Sequence, residues 1–219
     1  MALAGSERSL ITDITARAYK VPTDKPEADG TFAWDSTTLI VVHASGGGKT
    51  GLAYTYTDAC ITSLITGKLR QALREAEADA MDPPAAWLTM QNAVRNMGHP
   101  GLTATAISAV DGALWDLKSK ILNVPLCVLL GRYRDKCLVY GSGGFTTYTE
   151  TELREQLSGW VERDGCRWVK MKIGTHPEQD PYRVSAAKNA IGERTLFVDA
   201  NGARACRRAQ RGARRSFCR

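Results

Sequence analysis

Trp168-Val169-Lys170-Met171-Lys172-Ile173, followed 27 residues beyond Lys172 by Asp199 in Leu196-Phe197-Val198-Asp199-Ala200-Asn201, decides how this chain is read. Both runs have the composition of β-strands. Side chains alternate faces along a strand, so Trp168, Lys170 and Lys172 share one face and Val169, Met171 and Ile173 pack on the other. By the same alternation Phe197, Asp199 and Asn201 share a face. The segment between reads as one helix, with Asp180 as its cap, Pro181 at its first position, Val184, Ala187 and Ile191 on one side, and Gly192 at its end. If this β-α-β unit sets two parallel strands side by side, Lys172 and Asp199 both stand at carboxyl ends, where an α/β barrel carries its chemistry. An ammonium in a barrel interior is costly to desolvate unless it is paired or used, and its usual use is as a base. A second lysine two positions away favours the neutral amine by like-charge repulsion. The competing reading is an exposed or edge strand, where lysine guards against edge pairing.

Working outward, Leu10 to Val21, Thr37 to Ala44 and Leu52 to Tyr56 read as three strands of an antiparallel meander. Between the first two lies Pro22 to Trp34, a polar loop ending in the aromatics Phe32 and Trp34. Helices are expected near Asp58 to Ala80, Ala86 to Asn96 and Leu102 to Ile121. In the last, Ile107, Val110, Leu114, Leu117 and Ile121 form one apolar face, so Trp115 and the acids of that helix serve packing and solvation. A barrel is expected to begin with the strand Leu138 to Ser142. The helix after it opens on Thr149 and Glu152, spaced as a capping box, and buries Leu153, Leu157, Trp160 and Val161.

Three of these motifs, in this order, carry a resemblance. Ala106-Ile107-Ser108-Ala109-Val110-Asp111-Gly112-Ala113-Leu114-Trp115-Asp116-Leu117-Lys118, with Pro125-Leu126 and Leu129-Leu130-Gly131 behind it, resembles the helix that precedes the barrel in the mandelate racemase and muconate-lactonizing branch of the enolase superfamily. Ser119 replaces the Gly or Ala usual there. Lys170-x-Lys172 and Asp199-x-Asn201 resemble that family's base strand and its first metal-ligand strand. The resemblance covers residues 9 to 202. It implies an α+β N-terminal capping domain over residues 1–135 and the first three strands of a (β/α) TIM-type barrel over 136–203, with an Arg-rich tail over 204–219.

The resemblance further implies abstraction of the proton next to a carboxylate and an enediolate held by Mg²⁺, chemistry that the superfamily's lysine-base members share. Lys172 would be the base, Lys170 its charge partner and carboxylate contact, Asp199 a metal ligand, and Asn201 a neighbouring or substrate contact. Phe32 and Trp34 would reach the substrate from a loop that closes the barrel mouth, unless they pack on their own domain. Implied partners are a small carboxylate, such as a sugar acid or hydroxy acid, and further copies of the parent protein. The reaction itself, racemisation, cycloisomerisation or dehydration, stays open.

A complete barrel alone takes about 250 residues, more than the 219 here, so the barrel is expected to be incomplete and to supply one of the family's three metal carboxylates. The expectation is a truncated or frameshifted, inactive piece. Residues 201–219 contain seven arginines and no acid, and without them the formal charge of +6 becomes −1. The basic character is therefore a property of the tail, and no argument that the folded body binds nucleic acid. A non-catalytic module holding an anionic polymer through that arm is the alternative.

Other signals exclude more than they assign. His43-Ala44-Ser45-Gly46-Gly47-Gly48-Lys49-Thr50 ends like a phosphate loop, yet His43 stands where that loop requires its first glycine, and a glycine hairpin fits better. The histidines do not cluster. Cys60, Cys127, Cys137 and Cys166 lack metal-ligand spacing and read as reduced, mostly packed thiols. No basic-then-apolar leader and no run of ~18 apolar residues is seen, so the reading is a cytoplasmic protein with no membrane partner.

Overall fold

The computed structural model describes residues 8–203; the Arg-rich segment 204–219 lies outside them. The chain divides into two units, one of residues up to Val21 and from Thr37 to Asp135, the other of Pro22–Ser36 together with the chain from Lys136 onward.

The first unit is an antiparallel sheet backed by helices. Its strands β1 (Ile11–Ala28), β2 (Ala33–Gly46) and β3 (Lys49–Tyr56) lie in the order β1-β2-β3. β2 and β3 pair antiparallel from Leu39↔Tyr56 to Gly46↔Lys49 across a turn in which Gly47 and Gly48 both have positive φ, 53° and 69°. Two consecutive left-handed residues make the mirror-image turn that matches strand twist, which explains why the apparent phosphate loop is a hairpin. Ile40, Val42 and Ala44 alternate into the core with no exposed surface.

Helix α4 (Leu102–Ile121) spans the expected range and buries Ile107, Val110, Leu114 and Leu117. It packs closely on β3: a Cβ on Gly51 would collide with backbone atoms of Ala113 and Leu117. Asp116 accepts the Leu52 amide at 2.7 Å and an ion pair from Lys120 at 2.8 Å, and so occupies a donor of the edge strand. Ser119 is tolerated at 3% exposure because its hydroxyl donates back to the Asp116 carbonyl at 2.8 Å.

The helix expected over 58–80 is shorter and interrupted: α1 (Ile61–Leu64), a π-turn over Ile65–Leu69, then α2 (Arg70–Glu75). Ile61, Ile65, Leu69 and Leu73 are all buried, at a spacing of four. In a regular α-helix that spacing overshoots a full turn by about 40° each time, and one wider π-turn returns the drifting residues to the core face. Helix α3 (Pro83–Ala93) begins earlier than expected because Asp82 accepts the Ala85 amide at 3.2 Å and proline fills its first turn. The short helix α5 (Leu126–Leu129) follows Pro125.

The second unit holds a parallel sheet, β4 (Gly141–Ser142), β5 (Trp168–Lys172) and β6 (Thr195–Asp199), with α6 (Glu150–Glu162) and α7 (Asp180–Ile191) as its connections. This is an incomplete barrel sheet preceded by an antiparallel capping domain. Only two of the five residues expected in the first barrel strand pair, and Leu138, Val139 and Tyr140 remain exposed before it. The capping box forms with both bonds: Thr149 accepts the Glu152 amide and Glu152 accepts the Thr149 amide. Leu153, Leu157, Val169, Met171, Ala187 and Ile191 make the core, with Trp160 and Val161 packed against it. Asp180 does not cap α7; it accepts the Gly174 amide at 3.2 Å and closes the turn between strand and helix.

Two further expectations are corrected. Residues 22–34 are not a loop: β1 and β2 continue to a tight turn closed by the Asp29 amide on the Phe32 carbonyl at 3.0 Å, and this hairpin tip groups with the second unit. Cys60, Cys127 and Cys137 are exposed rather than packed, and Cys166 is half-buried. No helix among the described residues is long and apolar enough to cross a membrane.

Candidate active site

Strand alternation builds the centre. Val169 and Met171 are buried among α6 and α7 side chains, so Lys170 and Lys172 must project from the opposite face of β5. The parallel register sets Lys172 beside Asp199 and Lys170 beside Phe197. Both lysines turn to one atom: Asp199 Oδ2 accepts from Lys172 Nζ at 2.7 Å and from Lys170 Nζ at 3.2 Å. The lysine side chains are 11% and 16% exposed, and ammonium groups so enclosed require a partner. The exposed-strand reading is therefore set aside. The Lys170 ammonium also lies 6.0 Å from the Tyr140 ring centre.

Asn201 reaches the site by a different route from the one alternation suggested. β6 ends at Asp199, and Asn201 occupies the left-handed region at φ 47° in the turn that follows. Its amide donates to Asp199 Oδ1 at 3.0 Å, while its side-chain oxygen accepts from Lys172 Nζ. Asparagine is among the few residues that adopt this conformation readily, and such strain tends to persist where surrounding contacts enforce it. The hydrogen bond from Lys172, outweighing partial burial and aided by the Asn201 amide and by Lys170, holds the Asp199 carboxyl at about 2. It is ionised at neutral pH and shared between two cations.

The aromatics of the hairpin tip meet one another and the segment after β4. Phe32 stacks on Trp34 with centroids 6.1 Å apart, Trp34 meets Phe145 edge-on at 5.6 Å, and Phe145 meets Tyr148 at 5.6 Å. Trp34 donates its indole N–H to Glu27 at 2.8 Å. Neither Phe32 nor Trp34 makes a hydrogen bond or ring contact with the lysines, Asp199 or Asn201 among the described residues, and Phe32 is 68% exposed.

Asp29 was not anticipated. Burial pushes its carboxyl up, but bonds from the Thr31 amide and hydroxyl and the Phe32 amide outweigh this, and the Lys172 charge lowers it further. The available signal was the Asp29-Gly30 pair, a hairpin marker inside what read as a loop.

Comparison with known proteins places this geometry. The model for the mandelate racemase / muconate lactonizing enzyme N-terminal domain matches residues 12–131, and the enolase C-terminal domain-like model matches 152–216. The chain belongs to the mandelate racemase/muconate lactonizing enzyme family. Within this family it is 32% identical over 200 residues to 3,6-anhydro-alpha-L-galactonate cycloisomerase of Streptomyces coelicolor, covering 88% of this chain and 55% of that protein. A mandelate racemase/muconate lactonizing enzyme-like protein from Rubrobacter xylanophilus superposes with a TM-score of 0.89 at 50% identity, over 93% of this chain and 56% of the other. A racemase from Streptomyces coelicolor, crystallised with bound magnesium, gives 0.87 at 34%, over 94% and 59%. Dehydratases for talarate/galactarate and for arabinonate also match. The chain spans 55–59% of the length of the cycloisomerase and the two solved structures, and the dehydratase matches cover 27% and 32% of those proteins.

Magnesium in such relatives raises the question of fit here. Mg²⁺ takes about six oxygen ligands in near-octahedral array. Among the described residues no group of three or more His, Cys, Asp and Glu side chains is placed to hold a metal ion. The one central carboxylate, Asp199, already has both oxygens engaged. These residues do not form a metal centre by themselves.

Proposed function

We propose that the intact protein to which these residues correspond removes the proton next to the carboxylate of a small sugar acid or hydroxy acid, with Lys172 as the proton acceptor. The observation that supports this most directly is the convergence of Lys170 and Lys172 on one Asp199 oxygen at the carboxyl ends of adjacent parallel strands. Lys172 must give up a proton and its pairing before it can accept one, and Asn201 and Asp199 hold its nitrogen in place meanwhile. Lys170, kept close by the same carboxylate, remains a cation for a substrate carboxylate to meet. In this reading Phe32 and Trp34 of the hairpin tip are substrate contacts. Relatives named as cycloisomerases, racemases and dehydratases support this coarse reading, and the choice among those outcomes belongs to residues outside this pair.

In the same reading Asp199 is one ligand of a Mg²⁺ site completed by groups other than those described, and the intact protein is a homo-oligomer. The described residues alone do not assemble a metal set, so the 219-residue chain is proposed to be inactive by itself. Detectable racemisation or dehydration of a sugar acid by the purified chain in Mg²⁺ would overturn that statement. The base assignment is tested in a chimaera in which residues 1–203 continue into the remaining barrel of the Rubrobacter protein. Lys172→Ala is expected to slow exchange of the α-proton into deuterated solvent by roughly 10²- to 10⁴-fold, the usual contribution of a general base. Exchange of both enantiomers at the parent rate would remove Lys172 from the role.

A further inference from the structure

The hairpin tip is built onto the strand ends of the candidate site more tightly than a swinging lid requires. A Cβ on Gly30 would lie 2.7 Å from the Ile173 carbonyl oxygen, 2.9 Å from that of Ala200 and 2.5 Å from Ala203 Cβ. Ile173 follows Lys172 and Ala200 follows Asp199, so the turn rests directly on the two strands that carry the reacting pair. Gly30 has no positive φ; it is required for space and not for conformation. Several attachments hold the tip, including a longer bond from Thr146 Oγ1 to the Asp29 carbonyl at 3.4 Å. Thr175 Oγ1 donates to the Asp29 carbonyl at 2.7 Å and lies 2.8 Å from Thr146 Oγ1. The Thr146 amide donates to the Ala28 carbonyl at 2.9 Å, and Thr147 Oγ1 to the Pro26 carbonyl at 2.8 Å. Lys25 pairs with Glu152 at 2.5 Å and stands over the Tyr148 ring at 4.9 Å. The receiving segment is fixed in turn by Arg183, which donates to the Tyr148 and Phe145 carbonyls at 2.9 and 3.0 Å.

We propose that Thr175 is a positioning residue that, through the Asp29 carbonyl and with Gly30 as the steric key, latches the hairpin tip as a fixed roof over Lys172 and Asp199 in the absence of substrate. Thr175 belongs to the turn after β5, three residues beyond Lys172, so the latch and the base are placed by the same strand. The Asp29 carboxylate closes the turn from within, its Oδ1 accepting from the Thr31 amide and hydroxyl and from the Phe32 amide. A roof that is already down leaves selection to the fixed shape of the site rather than to a closing motion. The catalytic meaning of the roof rests on the proton-abstraction reading, whereas the latch itself does not.

Hydrogen exchange read by mass spectrometry on the 219-residue chain, without substrate, tests it. The parent is expected to protect the amides of Asp29 and Phe32, since a latched tip opens rarely. Thr175→Val is expected to speed their exchange by about five- to tenfold, the effect of losing one hydrogen bond, and Thr175→Ser to restore the parent rate. Gly30→Val should abolish protection of the tip while residues 39–46 of β2 keep theirs, which shows that the chain still folds. An unprotected tip in the parent, a Thr175→Val rate equal to the parent's, or a Thr175→Ser variant that fails to restore protection would each overturn the latch. Because no substrate enters this measurement, a failure here leaves the role of Lys172 to its own test.

Discussion

The two faces of the parallel sheet and the two faces of β2 and β3 solve the same problem differently. In the first unit the fully buried strand residues are apolar, and Ile40, Val42 and Ala44 meet Leu114 and Leu117 of α4 in one continuous core. Polar groups such as Asp116 work at the margin, satisfying the edge strand and the helix. In the second unit the helix side of β5 is just as apolar, but the other side carries two ammonium groups and a carboxylate, which are satisfied by one another. The sheet is therefore stabilised mainly from one side. A smaller core and a charged face teach that this unit gives up packing where a site is needed.

The contrast can be broken by core truncation. Leu114→Ala is expected to cost about 2–5 kcal/mol, because the side chain is wholly enclosed and the surrounding helices cannot collapse onto the space. Its effect should be confined to exchange protection in α4, β2 and β3, with β5 amides unchanged. Equal loss in both regions would show that the two cores do not unfold as separate bodies.

A smaller effect is expected at the closest backbone contact of the first unit. Gly51→Ala should destabilise by about 1–3 kcal/mol, since the added methyl meets backbone atoms of Ala113 and Leu117 that cannot rotate away. Urea midpoints at constant slope measure it; a neutral result would mean that α4 is free to shift from β3.

In the second unit, Thr149→Ala should cost about 1 kcal/mol by removing one bond of the capping box that starts α6. The loss should appear in α6 amides and not in α4.

The smallest effect concerns Asp199. Its carboxyl is held at about 2 in the fold against an ordinary 3.8. A depressed folded value means that its stabilisation is complete above the ordinary value and is lost as pH falls from about 4 through about 2. Asp199 is a third exposed, so solvent screens the pair and the change is modest. Acid titration of Trp168 fluorescence should show this step in the parent and not in Asp199→Asn, whereas the first unit should titrate alike in both.

Much of this was legible because it follows from periodicity. The span of α4, the glycine hairpin, the capping box and the alternation of β5 each depend on residues within about one turn or one strand of each other. Lys170, Lys172 and Asp199 were found for the same reason, since alternation assigns faces whatever the tertiary structure. What sequence reading missed was set at long range. Residues 22–34 look like a polar loop, but they are strands because Thr146, Thr147, Thr175 and Glu152, more than a hundred residues away, supply partners for carbonyls and a lysine that a free loop would show to water. The break in the helix at Ile65 answers to a core spacing of four and is invisible to local propensity. Asn201 joins the site through a left-handed turn, which no strand alternation describes.

The sequence by itself determined which side chains of β5 share a face, the span of α4 and the capping box that opens α6, and it set two lysines and an aspartate on neighbouring strands. Tertiary structure alone decided that both ammonium groups meet on one carboxylate oxygen and that Gly30 has no room for a side chain. Spacing along the chain specifies direction, but only packing specifies distance, and charge pairing and steric exclusion depend on distances of a few ångströms.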